Sequence, residues 1–496
     1  MSELNLALAH LDVKRGRPDE NLAELLRLFN QAADQGARIM AGPEMSLSGY
    51  CFESREEIAP LVQTADGPAG TALAELARRR QLYIVAAWAE CDTVTGIFYN
   101  SAFVFGPDGA LIKRYRKVNA ESRWACPGPA VQDNVFDTPW GRMGLLVCAD
   151  SYHSLMPRVT ALKGADLIFV PANWPSSGLA PGSIWRMRAV ENGCYVAAVN
   201  RTGLDKTMDC RSGYSCLITP SGEMPLNQKS EDTALMWARL PLDDQGHLAG
   251  VRRREIMSTR RPGSYYRLLG NFSGINDLTG FLKLPPAGFL DIHCVTPGSG
   301  QDPLDCFEEH YRQFNPGSLV LLPRHQYGDQ ALERLQSLAA ASGLAVLASR
   351  RSDGLVCFWK GPEERQWQMP DKTGFHEGFP RVDFGPARIM ITPLKDLLHP
   401  ELALSAAKWG CDLAVCSEHC LDEDKAELAA LRPIEQIAVA VCAKNGAAIG
   451  LTPQGHQPGR GARAAAGDRC SYVLDTNETR RKRFQDRIDF DTLFHA

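Results

Sequence analysis

In the first half of the chain, apolar runs alternate with amphipathic stretches. LNLALAHL reads as a buried strand. Asn21 to Ala37 then sets Leu22, Leu25, Leu26, Leu28, Phe29 and Ala32 at helical spacing, and ARIMAGPE predicts a second strand ending at Pro43. Further strands are predicted at LYIVAAWA, NSAFVFG and MGLLVC, followed by a helix from Ser154 to Lys163 and the strand DLIFVPAN. A helix from Ile184 to Gly193 and the strand CYVAAVN continue the alternation. Strands separated by helices of this length predict an α/β layered fold. The pattern does not by itself separate a doubly wound sheet from a sandwich of two sheets.

The order of elements then begins again. After GNFSGINDLTGFLKLPPAG, rich in Gly and Pro and with little helical period, LDIHCVTP, DCFEEHYRQF and SLVLLPRH repeat the early strand, helix and strand-ending-in-proline. Gly164-Ala165-Asp166-Leu167 has a counterpart in Gly410-Cys411-Asp412-Leu413, and Asn192-Gly193 in Asn445-Gly446. A separation of about 250 residues is too long for a solenoid repeat and suits duplication of a whole domain. The expected organisation is a first domain over residues 1–267, a connector over 268–286 and a second domain over 287–496.

Composition narrows the function. The chain has 496 residues, 44% apolar and 23% charged, a balance that supports packed cores and excludes general disorder. With 54 basic and 58 acidic side chains the formal charge is −4, which provides no broad positive field for nucleic acid or anionic membrane. The start, MSELNLALAHLDVKRG, lacks the flanks of an export signal, and no run of about 18 apolar residues suggests a membrane span. The expectation is a cytoplasmic protein whose 15 cysteines are mostly reduced and buried, so a reactive one must be found from its surroundings.

Cys148 ends MGLLVCADS, between an apolar strand and a helix-like segment. Such a turn aims backbone N–H groups at a thiolate and at an oxyanion. Alone, a buried cysteine is more often structural. Glu44 at the end of ARIMAGPE and Lys117 after GALIKRYRK change that picture. A carboxylate can accept the thiol proton, while an ammonium stabilises the developing negative charge. Glu121, four residues beyond Lys117, offers a second carboxylate to the same pocket. Taken singly, each of these charges would be an ordinary solvated group.

Together, Glu44 in GPEMSLSGY, Lys117 in YRKVNAE and Cys148 in LLVCADS resemble the Glu, Lys and Cys motifs of the nitrilase superfamily of carbon–nitrogen hydrolases. YNSAFVFGPDG, GADLIFVPANWP, RAVENGCYVAAVNRTG and SGYSCLITPSGE extend the resemblance over about residues 3 to 267. It implies two tandem α-β-β-α sandwich domains of nitrilase type. Glu44 would be the general base, Lys117 the cation that stabilises the intermediate and Cys148 the nucleophile. Ala149 would donate its backbone N–H to the oxyanion, Glu121 would position substrate and Trp174 would line the pocket, or merely pack there. No cofactor and no metal is implied. Cys148-Ala149-Asp150 resembles the form of amidase and carbamoylase branches, which favours an amide or N-carbamoyl substrate over a nitrile. Ser154-Leu155 departs from the Pro-Glu often found there, while Arg158 is retained.

The repeat places Arg324 opposite Glu44 and, sixteen residues before Gly410, Leu394 opposite Cys148. Lys372 and Glu377 only roughly mimic Lys117 and Glu121. The second domain is therefore expected to be an inactive copy that serves as an internal pseudo-dimer partner, with homo-oligomers also open to the chain. Cys416, His419 and Cys420 lack the spacing of a zinc site and read as structural or incidental. The basic run at 480–483 reads as a solvated tail. The leading function is hydrolysis of a small-molecule amide or ureido compound. A sensor or assembly protein, a nitrile hydrolase and a glutaminase coupled to a synthetase are the alternatives, and the last lacks a phosphate-binding loop.

Overall fold

A computed structural model describes residues 2–175, 180–270, 277–368, 379–451 and 461–481. Tertiary contacts divide these residues into two units, between Ser258 and Thr259.

The first unit contains strands β1 (Glu3–His10), β2 (Ile39–Ala41), β3 (Tyr83–Cys91), β4 (Phe98–Phe105), β5 (Leu111–Arg116), β6 (Val135–Thr138), β7 (Gly141–Leu145), β8 (Leu167–Pro171), β9 (Tyr195–Val199), β10 (Tyr214–Ile218), β11 (Leu226–Lys229) and β12 (Ala234–Pro241). They form two six-stranded sheets, ordered β12-β1-β2-β3-β4-β5 and β11-β10-β9-β8-β7-β6. The centres, β1-β2-β3 and β7-β8-β9, are parallel, and the flanking strands are antiparallel.

Alternation along β1 sets the layers. Leu4, Leu6 and Leu8 share a buried cluster with Leu145, Phe169 and Ala197 of the other sheet, so the sheets pack face to face. Ala7 and Ala9 point the other way, against Leu25, Leu28, Phe29 and Ala32 of helix α1 (Pro18–Asp34), and Leu73 and Leu76 of α2 (Pro68–Arg80) join that layer. Met156 of α3 (Leu155–Leu162) and Trp185 and Ala189 of α4 (Pro181–Asn192) cover the second sheet. The architecture is the α-β-β-α sandwich, which decides against a doubly wound sheet. Central strands such as Leu167–Pro171 are covered on both faces and hence read as unbroken apolar runs. Helix α1 starts earlier than its apolar stripe suggests, because Pro18 presets φ for the first turn. Helix α2 carries a weak stripe of small residues and is an addition to the elements read from the pattern.

The second unit contains β13 (Phe289–Val295), β14 (Leu319–Leu321), β15 (Ala345–Ser349), β16 (Leu355–Lys360), β17 (Glu363–Gln368), β18 (Arg381–Phe384), β19 (Ala387–Ile391), β20 (Leu413–Ser417), β21 (Ala438–Ala443), β22 (Gly446–Gly450), β23 (Gly461–Ala465) and β24 (Arg469–Asp475). Its sheets run β24-β13-β14-β15-β16-β17 and β23-β22-β21-β20-β19-β18, so every strand stands twelve places after a counterpart in the first unit. Leu290, Ile292 and Leu319 meet Ile389, Leu413 and Ala440 between the sheets. Helices α5 (Pro303–His310) and α6 (Asp329–Ser342) cover one sheet, and α7 (Pro400–Lys408) and α8 (Glu423–Leu431) the other. A polar brace recurs as well. Arg142 binds Asp137 at 2.7 Å while its backbone N–H donates to Asp166 at 3.0 Å; Arg388 does the same with Asp383 and Asp412 at 2.8 and 2.9 Å.

Two details differ from the sequence reading. Residues from Thr259 onward pack with the second unit: Arg260 pairs with Glu401 at 2.8 Å, Arg261 with Asp396 at 3.1 Å, and Tyr265 enters its core. The division thus falls before residue 267. Arg480 is not part of a solvated tail. Its guanidinium donates to the carbonyls of Pro285 and Pro386 at 2.6 and 2.5 Å and lies 3.3 Å from Asp412, a use of the planar fork that a charge run does not disclose. Lys372, Glu377, Lys482 and Arg483 lie outside the described residues. All fifteen cysteines are free thiols, most of them buried. Among the described residues no helix is long and apolar enough to cross a membrane.

His10 of β1 ties the two sheets of the first unit together. Its Nδ1 lies 2.9 Å from the Ser215 hydroxyl on β10, and its Nε2 3.2 Å from the Ser230 carbonyl. Burial lowers its pKa from 6.5 to about 4, against the opposing hydrogen bonds to Ser230 and Asn200. The ring is neutral in the fold and gains a proton more readily when unfolded. Its contribution is therefore complete above pH 6.5 and is lost as pH falls toward about 4. Urea unfolding of His10→Gln across this window should show an acid-side loss about 3 kcal/mol smaller than that of the wild type; an unchanged slope would contradict the assignment.

Candidate active site

The site is built at the carboxyl ends of the central strands, where an α/β sheet leaves its loops free to diverge. Glu44 follows β2, Cys148 follows β7, and Asn173 and Trp174 follow β8. Lys117 comes directly after β5.

Glu44 and Lys117 are almost wholly buried, with 0% and 1% of their side chains exposed, and they form an ion pair of 2.6 Å. Glu44 Oε1 accepts this bond and a second one from Asn100 Nδ2 at 2.7 Å. Glu44 Oε2 is buried without a conventional hydrogen-bond partner. The Cys148 thiol feels that carboxylate through its charge and through a weak side-chain hydrogen bond. Burial on its own would lower the Lys117 pKa, but the Glu44 carboxylate beside it outweighs burial and holds the ammonium well above its usual range. The ammonium also lies 5.6 Å from the centre of the Tyr50 ring.

Cys148 adopts φ +45° at the start of the tight turn Cys148–Ser151. Met45, next to Glu44, has φ +52°. Left-handed backbone at non-glycine residues costs about 1 to 3 kcal/mol and recurs where a fold holds reacting groups in position. Burial pushes the Cys148 thiol well above its usual pKa, and the Glu44 charge pushes the same way; Lys117 and the Asn173 backbone N–H act against them. The resting group is therefore a thiol, with a carboxylate in position to receive its proton.

Several residues without a role in the sequence reading hold this arrangement. Asp150 is fully buried and joins the lysine loop to the cysteine turn. Its Oδ2 accepts from the Tyr115 hydroxyl at 2.7 Å and the Val118 N–H at 3.1 Å, and its Oδ1 accepts from the Asn119 N–H and Nδ2 at 2.7 and 2.8 Å. Burial raises its pKa, with the Lys117 charge and these donors opposing. Ser151 Oγ donates to the Cys148 carbonyl at 2.6 Å and accepts from Trp185 Nε1 at 3.0 Å, while Arg188 donates to the Ser151 carbonyl at 2.9 Å. The available signal was a polar residue inside an apolar run: Asn100 lies in β4, which is buried along its whole length.

The remaining candidates are more peripheral. Ala149 lies within the cysteine turn. Glu121 makes two 2.9 Å bonds with Arg123, which lowers its pKa, and the Lys117 charge reaches it as a lesser influence. Trp174 is half-buried, 6.0 Å from the Tyr152 ring and 5.6 Å from Trp185. Arg158 is structural here, donating to the Glu191 carbonyl at 2.8 Å. In the second unit Arg324 follows β14 as Glu44 follows β2, and Leu394 opens the turn Leu394–Leu398 after β19 as Cys148 opens its turn after β7. Cys416 is buried in the strand and helix core, whereas Cys420 is exposed.

A family model described as carbon-nitrogen hydrolase matches residues 5–249. The nitrilase of Pyrococcus abyssi is 36% identical over 218 residues, covering 43% of this chain and 80% of that protein. Human omega-amidase NIT2 is 29% identical over 268 residues, covering 51% of this chain and 93% of its own. Among solved structures, Saccharomyces cerevisiae Nit3, described as a member of branch 10 of the nitrilase superfamily, has 22% identity and a TM-score of 0.45, covering 52% of this chain and 94% of that one. On the family match over residues 5–249 and the 36% identity across 80% of the Pyrococcus protein, the chain belongs to the carbon–nitrogen hydrolases of the nitrilase superfamily.

The electrostatics predict opposite responses to two substitutions. Glu44→Gln removes the negative charge beside the thiol and should lower the Cys148 pKa; Lys117→Met should raise it further. A pH titration of thiolate absorbance, taken as the difference from Cys148→Ala, measures both, and equal shifts in the two variants would refute the arrangement. Asp150→Asn turns an amide NH2 toward donors and should cost about 2 kcal/mol in urea unfolding.

Proposed function

We propose that the first unit hydrolyses the C–N bond of a small amide, or of an N-carbamoyl compound, through a thioester on Cys148. The observation that carries this reading is a cysteine on a left-handed turn beside a buried Glu44–Lys117 pair whose second carboxylate oxygen has no conventional partner. As Sγ attacks the carbonyl carbon, Glu44 Oε2 takes the thiol proton. The negative charge moves to the carbonyl oxygen, where Lys117 and the Ala149 N–H stabilise it. Collapse breaks the C–N bond, and Glu44 returns the proton to the departing nitrogen, releasing ammonia or an amine. Water, deprotonated by Glu44, then attacks the thioester; the acid leaves and the proton returns to sulfur. These steps need no metal.

Glu121 and Trp174 contribute to substrate positioning at the edge of the site, with Glu121 held by Arg123. The similarity to omega-amidases supports an amide, and a terminal amide of a short carboxylic acid is the first substrate to test. The similarity to an archaeal nitrilase makes a nitrile the alternative to include in the same assay. The second unit is read as a nitrilase-like domain without this chemistry, because Arg324 and Leu394 occupy the positions of base and nucleophile.

In a panel of amides, N-carbamoyl compounds and nitriles, Cys148→Ala should lose all turnover while retaining the fold, and Glu44→Gln should lose roughly 10²- to 10⁴-fold. Normal activity in Cys148→Ala would overturn the mechanism.

A further inference from the structure

The second unit keeps the scaffold of the first site and carries Arg324 at the position of Glu44. The Arg324 N–H donates to the Glu418 carbonyl at 2.9 Å, as the Glu44 N–H donates to that of Ala172 at 3.4 Å. A guanidinium thus stands where the first unit has a carboxylate. Its Nε is buried without a hydrogen-bond partner, although the residue as a whole is partly exposed. A buried guanidinium N–H without an acceptor is costly, and an anion can supply that acceptor.

Other cations gather at the same strand ends. Arg351, beyond β15, donates its backbone N–H to the His325 carbonyl at 2.8 Å, and its guanidinium lies 3.2 Å from His419 Nε2, beyond β20. Burial lowers the His325 pKa, and the charge of Lys444, beyond β21, lowers it next. Two carboxylates lie nearby and are outnumbered by the three cations Arg324, Arg351 and Lys444: Asp302 lies 3.0 Å from His325 Nε2, and Glu418 Oε1 accepts the Leu394 N–H at 2.7 Å. Arg350 is already neutralised by Asp329 and Asp353 at 2.6 and 2.7 Å.

We infer that the second unit binds a small oxyanion, a carboxylate or phosphate group, at the carboxyl ends of β14, β15, β20 and β21, with Arg324 as its principal ligand and Arg351 and Lys444 contributing charge. The planar guanidinium fork suits two oxygens of one such group. With Leu394 in place of a nucleophile, the site binds without reacting. This inference does not depend on the chemistry of the first unit.

Isothermal titration of the full chain at low salt, with inorganic phosphate and with succinate, tests it. At least one anion should bind saturably; phosphate alone or succinate alone would fix the class of ligand. Arg324→Gln should weaken binding about tenfold or more, a loss of about 1.4 kcal/mol. Arg351→Gln and Lys444→Gln should each weaken it several-fold and serve as the test if Arg324→Gln does not fold. Cys148→Ala should bind like the wild type, which separates this site from the first unit's. No binding of either anion at millimolar concentration, or undiminished binding in these arginine and lysine variants, would overturn the inference.

Discussion

The first unit is organised around one buried contact, the 2.6 Å pair between Glu44 and Lys117. Removing two charges from water is expensive, and a buried pair of this kind often adds little net stability compared with apolar side chains of similar size. In the proposed mechanism its use is chemical: the lysine holds one carboxylate oxygen in place and supplies positive charge where a substrate oxygen becomes negative, and the other oxygen, buried without a conventional partner, takes the thiol proton. Asn100 and Asp150 fix the surroundings, so the pair need not reorganise during reaction.

The fold explains how residues far apart in sequence meet. Parallel strands β1-β2-β3 and β7-β8-β9 end on the same side of their sheets, and the connecting loops deliver Glu44 and Cys148 together. Face-to-face packing through Leu4, Leu6, Leu8, Leu145 and Phe169 keeps those strand ends in register. Cys148 has positive φ at the start of its turn, and its thiol, at the edge of the apolar layer, feels the Glu44 carboxylate.

Much of this architecture was legible in the sequence because both sheets are covered by helices. Their central strands must be apolar on both faces, and LIFVP and YVAAV are read without difficulty. Glu44 and Cys148 stand out for the same reason, as polar groups at the ends of apolar runs, whereas Lys117 follows the charged strand Leu111–Arg116 and is picked out only by its motif. Helix α2 was harder, because small residues such as Ala69 and Ala77 suffice where it packs closely. Asn100 shows in the sequence only as a polar residue inside an apolar run and Asp150 only as part of the Cys-Ala-Asp motif; what each holds depends on donors and acceptors supplied by other segments. Arg480 shows the converse error: a residue in a basic run is held by carbonyls distant in sequence.

The two units also show what a duplicated scaffold preserves and what it lets change. The brace Asp137–Arg142–Asp166 recurs as Asp383–Arg388–Asp412 because it supports the strand ends in both units. Positions that face the site are free of that duty, and there Arg324 and Leu394 replace Glu44 and Cys148. The central claim concerns the covalent role of Cys148 in the first unit. Acid quenching of Glu44→Gln during incubation with a reactive small amide, followed by peptide mass spectrometry, tests it most directly. An acyl group on the peptide containing Cys148, absent in Cys148→Ala, is the predicted result. Product formation with no acyl group on that cysteine, or acylation elsewhere that tracks turnover, would contradict it.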